Sequence, residues 1–203
     1  MSSISAKTCL KRVAILSGFV LLVGVAFLYS GLYPMGADTP HFRATYWVLE
    51  TLREQSVARA AADVVVPENI NASDRLLAGG ADYNDMCSGC HLKPGKTSSD
   101  FSLGLYPAPP NLALSHDEHP HSDSEEAADK RRFWIIKHGI KASGMPAWAP
   151  GHDDERIWNM VAFLKVLPSL TPEQYQILTA REAGDIGHLK WSSNSVQPNR
   201  FFS

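Results

Sequence analysis

The sequence predicts an all-α chain in which one membrane-crossing helix precedes a compact helical domain. Three observations carry that prediction. Residues 13–33 form an apolar run without a charge, and the rest divides into stretches of helical period marked off by capping residues, glycines and prolines. The third is local: residues 87–91 read Cys-Ser-Gly-Cys-His. Two thiols three positions apart can each form a thioether to one of the two vinyl groups of a haem. The adjoining His91 then lies beneath the porphyrin, where its imidazole can bind the iron. A Cys-x-x-Cys redox pair or a zinc half-site would share these cysteines. The only other cysteine, Cys9, is remote in sequence, and a zinc site needs a second ligand pair.

At 203 residues the chain suits one modest domain with extensions. Three cysteines leave no disulfide framework once haem takes up Cys87 and Cys90. As a helix, the run at 13–33 would be about 31 Å long, matching the hydrocarbon thickness of a bilayer. Lys7, Lys11 and Arg12 precede it, and the first charges after it are Asp38 and Arg43. The positive-inside rule therefore puts residues 1–12 in the cytoplasm and the chain beyond about residue 34 on the far side. Tyr29 and Tyr33, with Tyr46 and Trp47, suit the outer interface. A cleaved signal peptide is the rival reading. The length of the run and the poor small-x-small site after it favour a retained anchor. The formal net charge is −2; the first 37 residues hold three cations and no acids, so residues 38–203 carry 16 cations against 21 acids, a net of −5. No nucleic-acid partner is expected from that balance.

Beyond the anchor, Thr39-Pro40 offers an N-cap with proline in the first turn. From there to about residue 62, Phe42, Tyr46, Leu49 and Leu52 recur at helical spacing. This helix is expected as a stalk, or lying on the membrane or the haem domain; the alternative is a docking helix for a partner protein. Val64-Val65-Val66-Pro67 breaks it, and residues 68–72 read as linker. Ser73 is the expected N-cap of a helix running through Leu76, Leu77, Gly79 and Tyr83 to Cys87. Residues 92–123, rich in Pro, Gly, Ser and His, read as loop with at most short helical turns. Asp123-Ser124-Glu125-Glu126 opens the next helix with a capping-box pattern, Phe133-Trp134-Ile135-Ile136 is its buried end, and Gly139 stops it. After a loop over 140–152, Asp153 or Asp154 caps a helix through Ile157, Trp158, Val161 and Phe163 to Leu167, ended by Pro168. Thr171-Pro172-Glu173-Gln174 is a further capping box for a short last helix, and residues 184–203 show no clear period. The expected organisation is a cytoplasmic N-terminus (1–12), an anchor (13–33), a helical stalk and linker (34–72), a haem domain (73–168) and a C-terminal extension (169–203).

Three further motifs accompany Cys-Ser-Gly-Cys-His in a fixed order. Gly79, Tyr83 and Cys87 are spaced by four, Pro110-Asn111-Leu112 follows, and Gly144-Met145-Pro146-Ala147-Trp148 comes just ahead of the helix that begins near Asp154. Together they resemble the mono-haem class I c-type cytochromes, especially the bacterial membrane-anchored or oxidase-associated kind. The resemblance covers about half the chain, from Ser73 to Pro168. It implies a class I cytochrome c fold around one covalently attached haem c. In that fold Gly79 and Tyr83 mark where the first helix crosses the last, with Phe163 the matching aromatic. It implies that the Pro110 carbonyl accepts the Nδ1–H of His91, which fixes the tautomer and leaves Nε2 for iron; Pro109 is the adjacent alternative. Met145, 54 residues after His91, would be the distal iron ligand, a soft thioether that raises the potential. Tyr106 and Trp148 are expected in the haem pocket or, equally, as ordinary core aromatics.

Arg131 and Arg132 are candidates for haem propionates, against the more usual solvated face. His116, His119 and His121, with Asp117 and Glu118, read as a solvated acidic loop rather than a metal site. His138 reads as a helix C-terminal residue facing the dipole, with distal ligation as a remote alternative. The expected function is that of a membrane-anchored periplasmic electron carrier, not an enzyme, with no catalytic residues. It would lie in the bacterial inner membrane with its N-terminus cytoplasmic. Its partners would be redox proteins of the membrane or periplasm. The alternatives are a haem enzyme or gas sensor with an open distal site, and a fixed cytochrome subunit of a membrane oxidoreductase complex.

Overall fold

The computed structural model describes residues 6–114 and 124–180, and among these it contains α-helices, one 3₁₀ turn and no strand. The all-α expectation holds. The chain divides into two compact units, Met1–Glu50 and Thr51–Ser203.

In the first unit, α1 (Ala6–Tyr29) carries the apolar run and has no buried residue. It is long and apolar enough to cross a membrane. It begins at Ala6 rather than Val13, because Lys7, Lys11 and Arg12 are accommodated on its first turns. It stops at Tyr29 rather than Tyr33. Both the amide and the hydroxyl of Ser30 donate to the Phe27 carbonyl (3.2 and 2.6 Å), and Gly31 adopts φ +67°, a conformation only glycine enters without cost.

The segment after α1 folds on itself. The Tyr33 hydroxyl lies 2.8 Å from His41 Nδ1, and the Tyr33 ring meets Phe42 edge-on at 5.1 Å. Thr39 N donates to Gly36 O in a turn, so Thr39 does not cap a helix, and α2 (Arg43–Ala61) starts four residues later than Thr39. Phe42, Tyr46, Leu49 and Leu52 all lie exposed, although their spacing reads as a packing stripe. On α2 the buried positions are Val57 and Ala61.

In the second unit, α3 (Ser73–Met86) and α7 (Asp154–Val166) form the central crossing. Ser73 is the first helical residue of α3 and Ala72 its cap position, without a side-chain cap. Asp153 caps α7 by accepting from Arg156 N at 2.8 Å. Gly79 is the reason the helices can cross so closely. A Cβ there would fall inside the carbonyl of Asn159 and 2.9 Å from Met160 N, both backbone. Tyr83 and Phe163 pack at 5.5 Å beside this crossing, as the resemblance implied. Asp82, on the same face of α3, takes a bidentate pair from Arg156 (Nε–Oδ2 2.6 Å, Nη2–Oδ1 2.9 Å).

Helix α6 (Glu125–His138) packs on α7 through Phe133, which stacks on Trp158 at 4.2 Å. Ser124 caps it by accepting from Ala127 N, and the third helical position is Ala127, so no reciprocal capping box forms. Lys165 ties the two helices by reaching the buried Asp129 at 2.7 Å. Beyond a 3₁₀ turn (Leu167–Ser169), Thr171 and Gln174 close the expected capping box and start the short last helix, Pro172–Leu178. Its Tyr175 completes an aromatic cluster with Tyr83 and Phe163. The loop with His116, His119 and His121, and the tail from residue 184, lie outside the described residues.

Candidate functional site

Helix α3 delivers the Cys-Ser-Gly-Cys-His turn directly from the crossing. Cys87 N donates to Tyr83 O (2.9 Å); Cys90 N and His91 N then donate back to Cys87 O (3.1 and 2.8 Å), closing the one-turn helix α4 (Ser88–His91). Leu92 enters the left-handed region at φ 66° and redirects the chain. The buried Tyr83 hydroxyl secures this bend by donating to Leu92 O at 2.7 Å, with His91 O at 3.2 Å. Burial, with Cys87 and Tyr175 nearby, drives the Tyr83 pKa well above the usual phenol range, so it stays a donor.

The structure resolves which proline meets His91. Nδ1 of His91 lies 2.9 Å from Pro110 O, and Leu112 N returns a bond to His91 O at 3.1 Å. A carbonyl only accepts, so Nδ1 carries the proton and Nε2 keeps its lone pair. Burial lowers the imidazole pKa and the Pro110 carbonyl works the other way; the net shift is downward, towards the neutral ring that can bind a metal. Burial first, then Asp82 and Cys90, push the Cys87 thiol up to about 12. A redox-active Cys-x-x-Cys needs the opposite, a stabilised thiolate. A raised thiol pKa does not suit such a pair.

Met145 lies on a loop clamped to the end of α6. Ile140 N donates to Met145 O (3.1 Å), Trp148 N to Ile136 O (3.2 Å) and Ala149 N to Lys137 O (3.1 Å). Met145 N is held by the Ser143 hydroxyl at 3.1 Å. Gly139 makes the clamp possible. It sits at φ +65°, and a Cβ there would meet Ala147 N, Pro146 C and Met145 O at 2.6 to 2.7 Å. Half-buried Met145, Trp148 and Cys87 all pack against one core cluster that includes Phe133, Ile136 and Trp158. The indole Nε1 of Trp148 is buried and has no acceptor among the described residues.

Leu105, the neighbour of Tyr106, lies against Gly144 beside Met145. Tyr106 is half-buried ahead of a cis bond to Pro107. The propionate candidates are paired with carboxylates: Arg131 with Glu54 (2.7 and 2.8 Å) and Arg132 with Asp129 (2.8 Å). His138 is exposed in the last turn of α6, tilted against Trp134 at 4.9 Å. Met160 is core, 1 % exposed. No cluster of three or more His, Cys, Asp or Glu suited to a metal occurs among the described residues.

Residues 74–164 match the family model described as cytochrome C oxidase, cbb3-type, subunit III. The domain is a c-type cytochrome. Comparison with curated proteins gives no match, and comparison with solved structures gives none. The matched span of the cytochrome domain runs from α3 to α7 and so encloses Cys87, Cys90, His91, Pro110, Met145 and Trp148. A c-type cytochrome holds haem covalently and works by electron transfer. Two features of this chain fit that group: the unprotonated Nε2 on a buried, oriented imidazole, and the buried Trp148 N–H with no protein acceptor.

Sequence reasoning missed three supports of the cytochrome site. The Tyr83 hydroxyl was read only as part of a crossing aromatic, Gly139 only as a helix stop, and the Asp82–Arg156 pair not at all. An acidic residue immediately before Tyr-x-x-x-Cys is no signal, because its partner lies 74 positions away.

Proposed function

We propose that this protein is a membrane-anchored electron carrier holding one haem c. In this reading Cys87 and Cys90 supply the thioethers, His91 the proximal ligand and Met145 the distal ligand. The Nδ1–Pro110 bond carries the proposal, because it is the arrangement that presents a neutral, oriented Nε2 to iron. The haem supplies one-electron redox chemistry. The chain's part is to hold both ligands still. His91 is fixed by Tyr83, Pro110 and Leu112, and Met145 by the clamp on α6. Such rigidity limits rearrangement when charge changes. Trp148 would give its buried N–H to a propionate carboxylate.

Helix α1 would be the anchor, with the cations Lys7, Lys11 and Arg12 on the cytoplasmic side and the cytochrome domain in the periplasm. The partners would be redox proteins of the membrane or periplasm. The family description supports a second reading, a fixed cytochrome subunit of an oxidase-type complex. Copurification of a stoichiometric partner from mild detergent would select it over a free carrier.

The ligand assignment is tested by Met145→Leu. The unaltered protein should be low-spin and resist carbon monoxide at neutral pH. The variant should turn high-spin, bind carbon monoxide and fall in midpoint potential. An unchanged spectrum and potential would remove Met145 from the iron. Ready carbon monoxide binding with Met145 intact would favour an open-site sensor or enzyme.

A further inference from the structure

The entry to α2 and its first two turns present large apolar side chains that stay exposed. Trp47 is 67 % exposed, Phe42 and Val48 52 % each, and Leu49 46 %; Tyr46 is exposed as well. At 100° per residue, Phe42, Tyr46, Val48 and Leu49 fall on one broad side of the helix. The positions that do become buried, Val57 and Ala61, lie about two to three turns beyond Leu49. Exposed and packed positions therefore occupy different stretches of the helix.

Three facts identify the neighbour as lipid. The stripe belongs to the compact unit Met1–Glu50, the unit that contains α1. Its start is held near the end of α1: Tyr33, four residues past Tyr29, contacts Phe42 at 5.1 Å and bonds His41 at 2.8 Å. Four residues reach at most about 14 Å even when fully extended. Finally, the make-up of residues 42–49, with Phe, Tyr, Trp and aliphatics beside Arg43, is that of side chains at the headgroup level.

We propose that Phe42 and the first two turns of α2, as far as Leu49, lie in the headgroup–acyl boundary of the bilayer on the side where α1 ends. This rests on α1 being a membrane anchor. The segment would then act as a second, lateral foothold, fixing the height at which the chain leaves the membrane towards the cytochrome domain.

The test uses the full-length haem protein in lipid nanodiscs of phosphatidylethanolamine and phosphatidylglycerol. Nitroxide labels are placed one at a time in a Cys9→Ser background at Val20→Cys, Val48→Cys, Leu49→Cys and Ala58→Cys. With Cys87 and Cys90 in thioethers, each introduced thiol is the one that reacts. Depth is read from collision with oxygen against a water-soluble nickel chelate. Label 20 should lie near the bilayer centre, labels 48 and 49 about 5–10 Å below the headgroup surface, and label 58 in water. If 20 is deep while 48 and 49 match 58, the lateral foothold is wrong and the anchor stands. If 48 and 49 are shielded from both oxygen and nickel, protein covers the stripe and the lipid assignment is overturned. If 20 itself is aqueous, the anchor fails and the foothold falls with it.

Discussion

Replacing Gly79 by alanine puts one methyl group where two backbones cross. The α3–α7 contact is backbone to backbone: the new Cβ would overlap the Asn159 carbonyl and stand 2.9 Å from Met160 N, against 3.4 Å for ordinary contact. Even that farther neighbour must retreat by about 0.5 Å, and the carbonyl by more. Neither atom is the tip of a flexible side chain, so relief comes only from separating the helices. Overpacking a filled core costs about 1–3 kcal/mol, and a rigid clash belongs at or above the top of that range. Helix propensity opposes it by about 1 kcal/mol, since alanine is the better helix former. The net expectation is a loss of about 2–3 kcal/mol. Guanidinium unfolding of the haem protein in mild detergent, followed by circular dichroism, reads this directly. Gly151→Ala is the control, because nothing lies within 4 Å of its Cβ, and it should stay within about 0.5 kcal/mol of the parent. Separation of α3 from α7 should also loosen the turn that α3 delivers, so carbon monoxide should bind the Gly79 variant more readily. A Gly79→Ala protein as stable as Gly151→Ala would refute the close crossing.

Three further outcomes follow from the same geometry. Glu54 is desolvated, which raises its pKa, but Arg53 and Arg131 outweigh burial and the net shift is downward. Its pairing therefore stabilises the fold above the ordinary carboxylate pKa of 4.5 and is lost as pH falls through the lower folded value. Glu54→Gln should cost about 1–2 kcal/mol at neutral pH and flatten the acid limb of a stability–pH profile. Arg156→Ala strands the buried Asp82 carboxylate and should cost about 2–3 kcal/mol in unfolding, while Arg156→Lys, without the bidentate fork, should recover only part of it. Gly139→Ala combines a strained φ with a clash against residues 145–147. It should weaken distal ligation, seen as a high-spin fraction and carbon monoxide binding, before it lowers the unfolding midpoint much.

What the sequence made legible was local. Capping by Ser124, Asp153 and Thr171 and the turn from Cys87 to His91 depend on residues within a few positions, and all four appear where the motifs put them. The resemblance to class I cytochromes reached further, bringing Pro110 to His91 and Phe163 to Tyr83. Periodicity alone says less about burial. Phe42, Tyr46, Leu49 and Leu52 keep helical spacing yet face outward, because spacing fixes which residues share a face and not what the face meets. Nothing near Arg131 in sequence announces Glu54, 77 residues earlier.

The two residues proposed as iron ligands are held by different parts of the fold, and that division has a consequence. His91 belongs to α3 through Tyr83 and the short turn, whereas Met145 belongs to α6 through Ile140, Trp148 and Gly139. Both α3 and α6 pack on α7, so the distance between the ligands is set by how each seats on that one helix. The charged contacts lie on those two seams: Asp82–Arg156 on α3–α7 and Asp129–Lys165 on α6–α7. Each pairs a carboxylate that is almost wholly buried with a cation that reaches it from α7. A buried carboxylate strongly prefers one geometry to leaving its charge unmet. These pairs therefore do more for register than for total stability, and changes to them should appear in the iron's ligation as well as in the unfolding curve.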